Sequence, residues 1–400
     1  MRGLVAPILL MSLLAVACAR EEEPGPEPAK APPPESSPAP APEGVEPPPA
    51  QHAATFNAGL ARNYVPHVDP RRAGIIEALS GLDAEVVCLQ EVWEDGDVEA
   101  VTAGVAARFP HAFHVATAGE AGAGPACAME ALRPLGACVS GPCAGAEDLP
   151  ACVLKACAPA FLGLPGECRT CLAANLSKPM DEALAACTGG GGSSLAYGGR
   201  NGLLLLSRHP LTETSHRVLD AYLLRRAVLH AKARVIGGDV DLFCTHLTAP
   251  LAAVEYQGAH GSWLQEQAHQ IDQVIQWVEE VAAGESVILM GDMNCGPANA
   301  EWEVAAAAPE NFQRFLDAGF RSPYTEDHGH CTWCGRSNPL VGDDPMLHIL
   351  DHVLFTRVGE ELLLPERILD QQRVETRAGR VPLSDHYGVR VAFELPAVKE

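Results

Sequence analysis

Basic residues are scarce in this chain and nowhere gathered. Lys and Arg number 28 against 51 Asp and Glu, a formal net charge of −23 over 400 residues, and no cluster is denser than Arg71-Arg72 or Arg225-Arg226. That excludes a surface that tracks a nucleic-acid backbone by releasing counterions, and it disfavours polyphosphorylated ligands, which need gathered cations. A nuclease that reaches one phosphate through a metal bridge stays open. Aromatic residues are 5% of the chain, and no long exposed aromatic hairpin of the kind that enters a bilayer is visible. The apolar run at residues 4–16 is too short to span a membrane, and no internal repeat is evident.

That run belongs to a targeting segment. Residues 1–17 carry one basic residue, Arg2, then the apolar stretch and small residues before Cys18, the form of a signal peptide. Leu14-Ala15-Val16-Ala17-Cys18 resembles a bacterial lipobox, with Ala15 where the usual Leu stands; the alternative is ordinary cleavage near Ala17. A lipidated Cys18 anchors the protein to a membrane, and Ala19 after it fits the outer membrane, so the protein is expected in the cell envelope or secreted. Residues 18–50 are mostly Pro, Ala and Glu without an aromatic and read as a semi-extended tether. The three basic and seven acidic residues of the first fifty leave −19 on the globular part, 51–400.

Fourteen cysteines behind a signal peptide imply an oxidising compartment. Eight of them, from Cys127 to Cys187, crowd into an Ala/Gly/Pro-rich stretch at 119–192. It reads as an insertion stapled by four disulfides, whose pairing the sequence leaves open. Zinc sites favour paired C-x2-C knuckles, and only Cys168 and Cys171 fit within it. Cys331 and Cys334 read as a structural disulfide, and Cys88 and Cys244, inside apolar strand runs, as buried thiols.

Apolar runs predict strands at 54–57, 85–89, 201–207, 287–290, 349–355 and 388–393, with a hairpin formed by 227–235 and 240–245. A helix at 69–79 is expected, capped by Asp69 with Pro70 at its first position, and an amphipathic helix at 263–282. Helices intervene irregularly among dominant strands, which gives one α/β or α+β domain with two central sheets and helices outside.

Three of the buried strands end in polar groups: Leu-Gln-Glu91, Gly-Asp292-Met-Asn294, and, just before the last strand, Ser-Asp385-His386. Strand ends can present such groups to one cleft, and this set predicts hydrolysis around a hard metal ion. Together with Thr-Phe-Asn57, Thr-His246-Leu and Leu-Asp351-His-Val-Leu, these motifs occur in an order that resembles the endonuclease/exonuclease/phosphatase superfamily, over most of 54–395 apart from the insertion. The resemblance implies a four-layer α/β/β/α sandwich and a Mg2+-dependent phosphodiester hydrolase, with Mn2+ as a possible substitute.

The resemblance also implies roles. Glu91 holds the metal, with Asn57 supporting it through its amide oxygen and Asp385 beside it. Asp292 orients or activates the attacking water, Asn294 hydrogen-bonds the developing oxyanion, and Asp351 fixes the imidazole of His386, which contacts the phosphate or shuttles a proton. His246 is a candidate acid for the leaving alkoxide or a transition-state donor. Asn201 and Arg208 resemble substrate-side positions of neutral sphingomyelinases, as do the segments around Thr332-Trp333 and Asn338. His352 reads as structural, and Tyr256, His260 and Trp263 either line the cleft mouth or pack. The favoured substrate is a phospholipid or sphingomyelin-like phosphodiester. The alternative is an extracellular nuclease acting on DNA or RNA, and behind it a non-catalytic lipid-anchored binding protein; no obligate protein partner is expected.

Overall fold

A computed structural model describes residues 50–396 except 117–123, 147–148, 176, 191–193, 252–253, 343 and 360–363. The signal segment, Cys18 and the tether lie outside the described residues. The chain runs through β1 (Gln51–Asn57), α1 (Val68–Ser80), β2 (Val86–Gln90), α2 (Asp95–Val105) and β3 (His111–Phe113). Five short helices follow: α3 (Arg133–Ser140), α4 (Leu149–Ala156), α5 (Ala158–Leu162), α6 (Gly166–Ala174) and α7 (Met180–Gly189). Then come β4 (Leu204–Ser207), β5 (Leu211–Leu219), β6 (Arg226–Val235), β7 (Gly238–His246), α8 (Trp263–Val281) and β8 (Val287–Asp292). The last part holds α9 (Pro309–Asp317), α10 (Pro323–Asp327), β9 (Trp333–Cys334), β10 (Leu347–His348), β11 (Asp351–Thr356), β12 (Pro365–Ile368), β13 (Arg373–Thr376), β14 (Gly379–Pro382) and β15 (Gly388–Phe393).

Two sheets form the centre, one ordered β12-β15-β1-β2-β4-β3 and the other β11-β8-β7-β6-β5. The apolar strand runs are continuous because both faces of each sheet are covered. Along β7, Val240, Leu242 and Cys244 point into the core between the sheets, while Phe243 packs outward against Ile271, Val274 and Trp277 of α8. Along β2, Val86 and Cys88 point inward, and Val87 and Leu89 meet Ile75 and Leu79 of α1 and Val101 of α2. The order of layers is therefore helix, sheet, sheet, helix, the expected four-layer sandwich.

Several local expectations need correction. Asp69 does not cap α1: the helix starts one residue earlier, and the capping position is His67, with φ 61° and no side-chain cap. Cys88 and Cys244 are not thiols but a disulfide joining the two sheets, Cα–Cα 5.4 Å; their facing positions arise only when β2 packs on β7. The expected strand at 349–355 is β11, which starts two residues later, at Asp351, and pairs with β8. The eight clustered cysteines form four bridges among themselves, Cys127–Cys168, Cys138–Cys157, Cys143–Cys152 and Cys171–Cys187. Around them α3–α7 enclose a small core of their own, with Leu135, Phe161 and Leu172. Cys331 and Cys334 form a local bridge, as expected.

Candidate active site

Strand direction and register bring the polar strand ends together. β1 and β2 run parallel and end at Asn57 and Gln90; β7 and β8 run parallel with His246 opposite Asp292. β11 runs the other way, so its first residue, Asp351, also faces Asp292. β15 is antiparallel to β1, which puts the residues just before it, Asp385 and His386, at the same end. Glu91 and Asn294 leave their strands with φ of 58° and 50°, a left-handed turn that non-glycine residues seldom adopt and that is concentrated at functional sites.

Asp292 is the hub. Its Oδ2 accepts a hydrogen bond from Asn57 Nδ2 at 2.9 Å and lies 3.5 Å from His246 Nε2 and 3.8 Å from His386 Nε2; its Oδ1 accepts from the Asn294 backbone N–H. Asn57 also donates to Glu91 Oε1 at 3.2 Å, while its amide oxygen accepts from Gly59 N. In this arrangement the Asn57 nitrogen faces the two carboxylates and positions them. Asn294 donates from Nδ2 to Leu247 O, tying the β7 and β8 ends together.

His386 Nδ1 meets Asp351 Oδ2 at 2.8 Å, which turns Nε2 toward Asp292. The neighbouring segment fixes this pair: Thr332 Oγ1 accepts the N–H groups of Leu350 and Asp351, and Thr332 O accepts Tyr387 N–H. Asn338 donates to Ser384 O, and the Trp333 ring lies edge-on to His386 at 4.9 Å. Ser384 Oγ donates to Asp385 Oδ1. Gly59, at φ 54°, lets this loop approach: a Cβ there would sit 2.5 Å from Asp385 Oδ1.

Burial sets the electrostatics. It pushes the Asp292 carboxyl up to about 7, with Asp351 adding to the effect, and raises Glu91, with Asp385 beside it contributing further. Burial alone would lower His386, but Asp351, Asp292 and Asp385 more than offset that and hold it well above the usual imidazole range. His246 goes the other way, held well below that range by burial, then by Arg226 and His386. The site thus pairs a cationic with a neutral imidazole at neutral pH.

Two arginines at the site escaped the reading of the sequence. Arg71, fully buried, donates to Ala58 O, Gly59 O and Leu383 O and so joins the Asn57 and Asp385 loops. Arg226, at the start of β6, is 2% exposed, and its Nε and Nη1 have no hydrogen-bond partner. Burial lowers its guanidinium to about 10, against the pull of Glu91, Asp292 and Glu266, so it stays cationic. In sequence the pair Arg225-Arg226 reads as surface charge; the burial of Arg226, opposite Leu219 of β5, comes only with the fold.

Other expected site residues are elsewhere. Arg208 pairs with Glu85, which precedes β2, whereas Glu91 follows it; six extended residues set them about 20 Å apart, at the opposite end of the sheet. Asn201 is buried beside the site, but its side chain is committed to Val115 O and Leu203 N. It braces Gly202, whose φ of 69° makes room for Trp93; that ring stacks on Tyr197 at 4.6 Å and stands 6.3 Å from His246. His352 is structural, bonded to Cys295 O. Tyr256 and Trp263 pack with Tyr222 rather than line the cleft.

The donor set suits a divalent cation. Four carboxylates (Glu91, Asp292, Asp351, Asp385) crowd an interior whose cations are His386, Arg226 and Arg71, and Asp351 Oδ1 is buried without a partner. Ligand atoms of Asp292, Asp351 and His386 lie within 4.8 Å of one another.

Known proteins agree with this architecture. The profile of the Endonuclease/Exonuclease/phosphatase family matches residues 54–386. SmcL has a similar structure, with a TM-score of 0.54 at 12% identity over 87% of this chain and 100% of that one. Beta toxin from Staphylococcus aureus, in a mutant form with bound magnesium ions, gives 0.51 at 12% identity over 86% and 99%. No curated protein sequence matches the chain.

Proposed function

This chain belongs to the Endonuclease/Exonuclease/phosphatase family and is a metal-dependent phosphoesterase, and from that premise we propose that it cleaves a phospholipid or sphingomyelin-like phosphodiester, anchored at a membrane through Cys18. The observation that carries this reading is the distribution of positive charge. Within the site Arg226 is a buried guanidinium whose Nε and Nη1 have no hydrogen-bond partner, inside a domain of net charge −19. One buried guanidinium recognises a single phosphodiester, whereas a long polyanion would be repelled by the rest of the surface. The sphingomyelinase-like segment at Thr332-Trp333 and Asn338 braces His386 and Asp385, which gives that likeness a physical role.

The chain's own groups divide the work. Asp292, with a carboxyl held near neutral, orients a water against phosphorus and takes its proton. His386, cationic and fixed by Asp351, donates from Nε2 to a non-bridging phosphoryl oxygen, and Arg226 and an amide hydrogen of Asn294 meet the charge that develops there. His246, neutral, donates a hydrogen bond to the leaving oxygen rather than acting as a strong acid, and the departing alkoxide takes its proton from water. Glu91 and Asp385 would hold the cation, positioned by Asn57, and Mg2+ with its preference for oxygen ligands is the ion they suit, Mn2+ serving as a substitute. When bound, it polarises the phosphoryl oxygens and offsets the carboxylate charge.

A single reaction tests the substrate. Sphingomyelin vesicles and supercoiled plasmid are incubated together with the oxidised protein and Mg2+. Phosphocholine release without nicking is the expected result; nicking without phosphocholine release would replace this reading with that of an extracellular nuclease.

A further inference from the structure

Away from the active site, Asp220, His260 and His269 converge. Asp220 follows β5, His260 lies on the loop that leaves the active site after His246, and His269 is on α8. The two imidazoles stack at 4.4 Å with their planes 26° apart. Both Nε2 atoms face one carboxylate oxygen: Asp220 Oδ2 lies 3.1 Å from His269 and 3.8 Å from His260. One ligand atom from each residue fits within a span of 4.8 Å.

The carboxylate is held in place from behind. The Asp220 N–H donates to Gln273 Oε1 and its carbonyl accepts from Gln270 Nε2, both from α8. His260 is held through its backbone N–H, which donates to Tyr256 OH. Three segments distant in sequence are thus fixed around one point, with two imidazoles and one carboxylate turned toward it.

We propose that Asp220, His260 and His269 form a second metal site, selective for Zn2+ or a similar borderline divalent ion. Zinc bonds of about 2.0–2.1 Å at tetrahedral angles put neighbouring ligand atoms about 3.3 Å apart, and the observed 3.1 and 3.8 Å bracket that value. Two imidazoles with one carboxylate suit zinc, cobalt or nickel; Mg2+ prefers all-oxygen ligands, so the two sites sort ions by chemistry.

The ion would pin the loop after His246 to α8. That loop is already tied to the helix by Glu266, which accepts from Thr248 Oγ1, Tyr222 N and Tyr256 OH. It is also where α6 docks, through Thr170 on Tyr222 at 2.5 Å and Arg169 on Glu255 at 3.1 Å. A zinc ion here fastens the platform on which the cysteine-rich segment rests.

The test uses the oxidised full-length protein, stripped with EDTA, desalted and dialysed against Zn2+ in excess Mg2+. Bound zinc is counted by elemental analysis, and the urea midpoint is read with and without Zn2+. The wild type is expected to hold one more zinc per chain than His269→Ala, His260→Ala or Asp220→Asn, and to gain a zinc-dependent rise in midpoint that they lack. Glu91→Gln, altered only in the active site, should keep that zinc and that rise. The three variants should retain Mg2+-supported turnover, which shows they are folded. Equal zinc in the wild type and all three variants would overturn the proposal, and so would a zinc-dependent rise in midpoint that survives in them.

Discussion

Removing the Cys88–Cys244 bridge should cost the domain a large part of its stability. The bridge spans 156 residues of sequence, and in the chain-entropy treatment closing such a loop restricts the unfolded state by about 5 kcal/mol. Cys127–Cys168 and Cys171–Cys187, with separations of 41 and 16, already shorten the path inside that loop. The dependence on length is logarithmic, so an effective loop of about 100 residues still gives about 4.7 kcal/mol. Emptying the two thiol positions between the sheets adds roughly 1 kcal/mol. For the double variant Cys88→Ala/Cys244→Ala the expected loss is therefore about 5–6 kcal/mol, a large fraction of the stability typical of a domain. Urea unfolding followed by tryptophan fluorescence measures it, and the slope with denaturant should steepen because the released chain exposes more surface. A loss below about 1 kcal/mol with unchanged slope would refute the assignment of this bridge as the clamp between the sheets.

The remaining expectations concern catalysis. His386→Ala should lower turnover by about 10²–10⁴ and lower the urea midpoint as well, since Asp351 loses its buried partner; full activity would remove the mechanism. Arg226→Met should lower kcat by about 10²–10³ and lower stability as well, because the buried carboxylates Glu91 and Asp292 lose a nearby cation. A stability loss with unchanged kcat would make that arginine structural. EDTA should abolish phosphodiester cleavage and Mg2+ or Mn2+ restore it; chelator-insensitive turnover would rule out the metal assignment.

The site was legible in the sequence where a strand end carried its chemistry in a short motif. Gly-Asp292-Met-Asn294 and Ser-Asp385-His386 each combine an apolar run with polar residues at its end, and both faces of those strands are buried, so the runs are unbroken. Arg226 was illegible because its burial depends on the tertiary packing around the start of β6, where it lies opposite Leu219 of β5, not on its neighbours in sequence. Arg208 misled for the reverse reason: its place in a familiar segment said nothing about which end of β4 it occupies. The disulfide between Cys88 and Cys244 required two sheets to face each other before the pair existed. The helices of the cysteine-rich segment were hidden by small residues, whose periodicity is weak, while its bridges were readable from number alone.

β3 and β4 are antiparallel neighbours, so the cysteine-rich segment leaves and re-enters the sheet where a tight turn would serve. Topologically it is a decorated hairpin. Its core and its four bridges are internal, so neither its length nor its composition is constrained by strand register. Such a position tolerates exchange: a shorter connection, or a different module, can be grafted in place of Cys127–Cys187 while Tyr197, Asn201, Gly202 and the catalytic strand ends keep their places. The chain thereby separates what must stay fixed for phosphoester chemistry from what is free to diversify in the encounter with a surface.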